Sequence, residues 1–274
     1  MKIKKTLTVI LVIILAVLGY LNMTVINPKT LTVREETIST DKMADGKELI
    51  IAYFSDIQYA ENHSNRALKS LADTINQFDP DIVIFGGDVF DYDEDNGISN
   101  STQETVSNEF KNIHARLGKY AVLGDQDYTN QDNLRNLLTN AEFEILTNQS
   151  LTVYKDRKPL INLVGLEPVT HNALDVNELY QSLNQDIYTV SVCHTPDIFD
   201  TLNSGDLLLA GHTLNGQVYL PFISGLLMPE GGRNHYRGQT VKNNLTLDIT
   251  SGVGTKNKDI RLFADAEIVV YKIK

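Results

Sequence analysis

At 274 residues, with 42% hydrophobic and 22% charged side chains, the chain can fill one large core, which argues against extended disorder. A formal net charge of -11 argues against nucleic acid as a partner, because affinity for phosphate backbones comes from clustered Lys and Arg. The lone cysteine, Cys193, excludes an intramolecular disulfide, and its place in the apolar run YTVSVC reads as a buried, inert thiol.

At the amino terminus, Lys2, Lys4 and Lys5 precede a stretch with no charged residue from Thr6 to Pro28, and Leu7 to Leu21 is almost wholly apolar. This predicts a signal anchor over residues 1–26 that crosses a membrane once. Basic residues hold the short amino-terminal side in the cytoplasm, so the following domain is expected to be extracytoplasmic. Val17-Leu18-Gly19 meets the small-residue requirement of a cleavage site only weakly, so the segment is expected to stay; cleavage would make the protein secreted. Residues 27–47 read as a linker with an edge strand around Leu31 to Glu36, since ETISTDKMADGKE has little to bury.

Residues 48–274 are the expected folded domain. Five of its apolar runs end in a residue that binds metal ions well. ELIIAYFSD stops at Asp56, DIVIFGGD at Asp88, KYAVLGD at Asp125, IYTVSVCH at His194 and DLLLAGH at His212. Short β-branched runs separated by helix-length polar stretches predict buried parallel strands. Between them, Ser64 to Phe78 carries Leu68, Leu71 and Ile75 at helical spacing with Ser64 as a cap. Gln103 to Leu117, Asp132 to Asn140 and Val176 to Asn184 predict further helices. EILTNQSLTVYK and PLINLVGLEPV predict shorter strands, and NLTLDITSGVG with IRLFADAEIVVYKI predicts closing ones. The fold class is α/β: a two-sheet β-sandwich flanked by helices, preceded by one transmembrane segment.

Ligands of open α/β sheets bind beyond the carboxyl ends of the strands, so the five side chains should converge on one rim. One aspartate at a strand end is commonly a turn cap, and one buried histidine is commonly a satisfied core residue. Five such endings together predict a metal rim of three carboxylates and two imidazoles. His63 reads as a surface histidine near enough to replace a lost ligand, and His114, His171 and His235 as solvent-facing. The acidic run Asp91 to Asp95 lacks the glycine and glutamate spacing of a calcium loop and reads as solvated. Gly86, Gly87, Gly124, Gly211 and Gly216 read as tight turns or close backbone approaches.

In order along the chain, SDIQ, GGDVFD, GDQD, CH and GHTLNGQ resemble the signature of the calcineurin-like metallophosphoesterases, D-x-H, G-D-x-x-D, G-N-H-[DE], H and G-H-x-H. The resemblance spans nearly the whole domain. YRG at Tyr236 to Gly238 and SGVGTKNKDIRLFADAEIVV resemble the tail of the family's membrane-associated bacterial branch, which includes enzymes similar to lipid-linked pyrophosphatases. In the family, one metal is held by the D-x-H pair, the shared aspartate of G-D-x-x-D and the last histidine of G-H-x-H. The other is held by that aspartate, the asparagine of G-N-H, the lone histidine and the first histidine of G-H-x-H.

The resemblance implies that Asp56, Asp88, His194 and His212 are metal ligands. Four positions depart from the pattern: Gln58 and Gln126 stand for histidines, Asp125 for asparagine and Leu214 for the final histidine. The first site keeps Asp56 and Asp88 with the Gln58 carbonyl as a weak substitute, and loses a ligand at Leu214, which has no donor atom. The second keeps Asp88, His194 and His212, with Asp125 as an anionic replacement. Gln126 and, more weakly, Asp127 occupy catalytic positions, although Gln126 cannot give a proton to a leaving group near neutral pH. Asp91 and Asp127 are expected to orient neighbours.

The expected cofactor is a divalent metal, one or two ions, with Mn, Fe, Zn and Mg all suited to such ligands. The expected activity is metal-dependent hydrolysis of a phosphoester or pyrophosphate with a weakened first site, on a phosphorylated small molecule or lipid-linked substrate. The alternative is a non-catalytic pseudo-phosphoesterase that binds a phosphorylated envelope ligand or partner.

Overall fold

In a computed structural model, residues 2–43, 48–60, 65–91, 98–171 and 176–274 are described. His63, the Ser64 cap and the acidic run beyond Asp91 lie outside them. The chain begins with helix α1 (Lys2–Leu21), which continues through tighter and wider turns to Lys29. Leu7–Lys29 is, among the described residues, the one helical stretch long and apolar enough to cross a membrane.

Strand β1 (Leu31–Ile38) is followed by β2 (Leu49–Phe54), α2 (Asn65–Asn76), β3 (Ile82–Phe85), α3 (Asn100–Lys111), β4 (Gly118–Ala121), α4 (Gln131–Asn140) and β5 (Phe143–Ile145). The order of the first sheet is β1, β12, β2, β3, β4, β5, with β12 (Ala266–Ile273) inserted antiparallel to β2 and parallel to β1. Parallel strands need a crossover, and α2, α3 and α4 supply one between each successive pair from β2 to β5.

The second sheet takes β6 (Gln149–Lys155), β7 (Lys158–Leu166), the single turn α5 (Glu178–Gln181), β8 (Thr189–Cys193), β9 (Leu207–Ala210), β10 (Gly238–Lys242) and β11 (Leu245–Ile249). Its order is β10, β11, β9, β8, β7, β6, with β7, β8 and β9 parallel.

Side chains alternate along each strand, so the two sheets share one core and each carries another on its outer face. Ile51, Tyr53, Ile82 and Ile84 meet Ile161, Val190, Leu207 and Leu209 between the sheets. Ala52, Phe54, Val83 and Phe85 face the helices, where Leu71, Ile75, Phe110 and Leu138 cover them. Leu208, Ala210 and Cys193 form the outer core of the second sheet. The Cys193 thiol is fully buried and burial pushes it up to about 11, as befits an inert packing group.

Several boundaries differ from the sequence expectation. EILTNQSLTVYK contributes to both sheets, because Asn148 turns the chain at φ 47° between β5 and β6 and fixes that turn through two bonds with Glu167. Helix α3 starts at Asn100 because the Ser99 hydroxyl accepts from the Thr102 amide, and it stops six residues short of Leu117, where Ile113 drops into the core. The helix expected to reach Asn184 is one turn long, since the Gln185 side chain donates to the carbonyls of Tyr180 and Leu183. β12 begins only at Ala266, because Arg261, fully buried, bonds the carbonyls of Ser251, Gly252, Gly254 and Ala264 and wraps the preceding chain into a loop.

Candidate metal centre

Parallel strands from both sheets end at the same rim. Asp56 and Asp88 follow β2 and β3, Asp125 follows β4, and His194 and His212 follow β8 and β9. At three of these ends the backbone turns sharply: Asp56, Asp88 and His212 have φ of 52°, 60° and 71°. Such left-handed positions cluster at functional sites, and Asp and His tolerate them better than most residues. The Asp56 amide donates to the Gly87 carbonyl at 2.8 Å and the Gly211 amide to the His194 carbonyl at 3.0 Å, which ties neighbouring ends together.

Four donors converge. One ligand atom from each of Asp88, Asp125, His194 and His212 lies within 4.8 Å of the other three. The far nitrogen of each ring fixes what the near nitrogen can do. His194 Nδ1 is 2.7 Å from the Gly86 carbonyl and His212 Nε2 is 2.8 Å from the Glu230 carbonyl; a carbonyl only accepts, so both nitrogens donate. A neutral ring then presents a lone pair from His194 Nε2 and from His212 Nδ1. These face Asp88 Oδ2 at 3.3 Å and Asp125 Oδ1 at 3.3 and 2.8 Å. With no proton between them, His194 Nε2 and Asp125 Oδ1 are buried acceptors lacking a hydrogen-bond partner. A cation at the centre satisfies all four, and the two carbonyls are the outer partners that metal-binding histidines ordinarily have.

The electrostatics agree. Burial alone would lower the pKa of His194, but the charges of Asp88 and Asp56 outweigh it and raise it well above the imidazole range. Burial pushes the Asp125 carboxyl up, yet the two histidines pull it below the usual carboxylate range. Both shifts report a strongly negative pocket that retains positive charge, as protons or as a metal ion.

The other half of the rim is closed. The Asp56 carboxylate is fully buried, accepts the Ser55 hydroxyl and takes the His212 backbone amide at 3.0 and 3.2 Å. It lies outside the four-donor group, 3.8 Å from His194 Nε2. Burial, with repulsion from Asp88, pushes its carboxyl above the usual range. Gln58 offers no carbonyl to this space: its amide nitrogen donates to Asp88 Oδ2 at 2.8 Å, and its oxygen faces the Gln126 amide at 3.5 Å. Gln126 bonds the same Asp88 oxygen at 3.1 Å and caps Asp88 Oδ1 with its backbone amide at 3.2 Å. Leu214 is buried, and an added Cβ on Gly252 would lie 2.7 Å from Asp56 Cβ and 3.0 Å from Leu214 Cδ2, so its side chain sits beside Asp56. Two amides and a leucine occupy the place of a second cation, and these residues do not fit one.

A family profile for calcineurin-like phosphoesterases matches residues 49–216, more than half of the chain. The chain belongs to the calcineurin-like phosphoesterase family. It is 24% identical over 261 residues to the uncharacterized metallophosphoesterase YkuE of Bacillus subtilis, covering 93% of this chain and 90% of that protein. It is 24% identical to the UDP-2,3-diacylglucosamine pyrophosphatase LpxG of Chlamydia trachomatis, covering 70% of this chain and 74% of that protein. It is 23% identical to a Danio rerio transmembrane protein with a metallophosphoesterase domain, over 98% of this chain but only 62% of that protein.

Asp127 supports this phosphoesterase rim from below. Fully buried, it accepts the backbone amides of Asp88 at 2.8 Å, Val89 at 3.1 Å and Gly124 at 2.8 Å, locking two strand ends together. Burial and the charge of Asp88 push its carboxyl up to about 7 against the pull of those three donors. Asp91 accepts the Asn257 amide at 2.9 Å and holds a loop. His235 is only partly exposed, since it pairs with Asp200 at 2.9 Å and packs edge-on to Phe199. Sequence reading missed the Gly86 and Glu230 carbonyls, which orient both imidazoles; a backbone acceptor has no residue-type signature.

A Cβ on Gly124 would overlap Asp88 Oδ1. Gly124→Ala is therefore expected to displace that carboxylate, cost ~1–3 kcal/mol of stability, and weaken metal binding. Thermal melts with and without Mn²⁺ check this: the shift that metal gives the parent protein should shrink in the variant.

Proposed function

We propose that this chain is a membrane-anchored, extracytoplasmic phosphoesterase-family protein with a single metal site. It holds one divalent ion at Asp88, Asp125, His194 and His212 and binds there the phosphoryl group of a phosphorylated or lipid-linked ligand. Residues 1–26 form the anchor, 27–47 the linker and edge strand, and 48–274 the metal-binding domain. The observation that carries this reading is the set of four converging lone pairs beside a rim half closed by Gln58 and Leu214. Two carboxylates and two imidazoles suit Mn²⁺, Fe²⁺ or Zn²⁺, and Mg²⁺ less well.

The ion, when bound, supplies Lewis-acid polarisation of a phosphoryl oxygen. The residues around it set how far hydrolysis goes. Gln126, half-exposed at the mouth, can donate a hydrogen bond to a phosphoryl oxygen but cannot protonate a leaving group. Turnover is therefore confined to esters whose leaving groups need no proton. The name of the LpxG relative, a pyrophosphatase of a diacylated sugar nucleotide, supports a lipid-linked class of ligand.

A second reading, a phosphate-binding protein without turnover, is favoured by the Gln58 and Gln126 amides that both hold Asp88 Oδ2. Assay of the full chain in detergent on an activated aryl phosphodiester, with Mn²⁺, separates the two. Turnover that His212→Ala abolishes supports the enzyme. Metal bound without turnover supports the binding protein, and absence of bound metal defeats both.

A further inference from the structure

The loop that carries His212 continues into a tongue, residues 218–229, that returns to the metal rim at Glu230. Its root is fixed at both ends. Val218 bridges Leu262, the Tyr219 amide donates to the Leu262 carbonyl at 2.8 Å, and the Glu230 carbonyl accepts from His212 Nε2 at 2.8 Å. Inside the tongue, buried Ser224 accepts the Leu220 amide at 2.8 Å and donates to the Val218 carbonyl at 3.2 Å. The tongue is thus an ordered turn that tucks Met228 inward and turns its other large aliphatic and Phe side chains outward. Phe222 is 100% exposed, Leu226 84% and Leu227 76%, with Ile223 and Leu220 also exposed and Phe263 beside the root. Soluble surfaces seldom gather so many large apolar groups in one short segment without a partner.

The position of the apolar helix names that partner. Just past α1, the Met23 carbonyl accepts the Arg261 amide at 3.0 Å, and Asn27 Nδ2 donates to the Arg261 carbonyl at 3.4 Å. Arg261 is next to Leu262, on which the tongue is rooted, so the tongue stands beside the point where the candidate span Leu7–Lys29 leaves the membrane. Basic and aromatic groups flank it, although the chain as a whole is acidic: Lys29, Lys256 and Lys258 are exposed, and Arg237 stacks over Tyr219 at 4.2 Å. Apolar tips with a rim of Lys, Arg and Tyr are the composition of an interfacial lipid contact.

We propose that this tongue inserts into the leaflet from which the anchor emerges and holds the metal rim at headgroup level, so that the ligand's phosphoryl group is presented by a membrane lipid. This rests on reading the amino-terminal helix as an anchor, and deepens the proposed function by naming where the ligand resides.

The chain contains no tryptophan, so a single one reports its own surroundings. Phe222→Trp and, separately, Leu226→Trp are made in the full chain and reconstituted into phosphatidylglycerol and phosphatidylethanolamine vesicles. Tyr154→Trp, on the exposed hairpin at the opposite ends of the strands, is the aqueous control. The expected result is blue-shifted emission at 222 and 226, quenched by acyl-chain bromination and protected from iodide, with the reverse at 154. Water-like emission and iodide quenching at 222 and 226 in a chain that floats with the vesicles would overturn the tongue while leaving the anchor. A chain that does not float overturns the anchor and the proposal with it. Protection from both quenchers, dependent on protein density, would mean contact between copies and also overturn it. Metal binding enters none of these readings, so failure of the metal site is scored apart.

Discussion

Returning histidine to positions 58, 126 and 214 is expected to raise the hydrolysis of an aryl phosphodiester in Mn²⁺ by ~10²- to 10⁴-fold, the range that a positioned general acid ordinarily contributes. Gln126→His supplies the missing proton donor at the mouth. Gln58→His takes one amide off Asp88 Oδ2, where it donates at 2.8 Å, and offers a lone pair in its place. Leu214→His puts a donor beside Asp56, at a left-handed position of φ 51° that histidine tolerates better than leucine. The three act as a unit, so single substitutions should recover far less than the triple variant. Metal content should rise from one ion per chain to two in parallel. A triple variant that gains the second ion but no rate would show that something besides these three residues limits turnover.

His194→Ala is the converse test, with the largest expected loss. The ring is fully buried, its Nδ1 is committed to the Gly86 carbonyl, and its Nε2, 3.3 Å from Asp88 Oδ2 and Asp125 Oδ1, has no hydrogen-bond partner. In the proposed site it is a direct ligand, so its removal should lower affinity for Mn²⁺ or Zn²⁺ by more than the ~10- to 100-fold typical of losing an outer partner. His212→Ala should behave alike. His235→Ala is the control: its ring pairs with Asp200, outside the four-donor group, and metal affinity should not move. Isothermal titration of the three variants decides the matter, and equal affinity in all of them would dissolve the proposed cage.

Much of the fold was legible because its signals are local. LIIAYF, IVIF, TVSVC and LLLA are short and apolar, the first three with β-branched residues, and all are interior strands. What could not be read were the partners of each strand. Nothing in EILTNQSLTVYK says that its two halves join different sheets, because that depends on one turn at Asn148 and on Glu167, a distant acceptor. At the rim, the strand-end pattern gave the residue types that gather there, and the resemblance divided them between two metals. It could not show that Gln58 would turn its amide onto Asp88, since either end of a carboxamide can face a carboxylate's neighbourhood. Nor could it show that Asp56 would accept the Ser55 hydroxyl beside it in the chain and the His212 amide from the other sheet, a bond set by the approach of the two sheets.

The direct test of a one-ion rim is the metal content of the full-length protein, purified without chelator, equilibrated with Mn²⁺ and desalted. One ion per chain, lost in His194→Ala, is the result expected from Asp88, Asp125, His194 and His212 acting alone. Two ions per chain would contradict the closure of the Asp56 half, and none would contradict the cage itself.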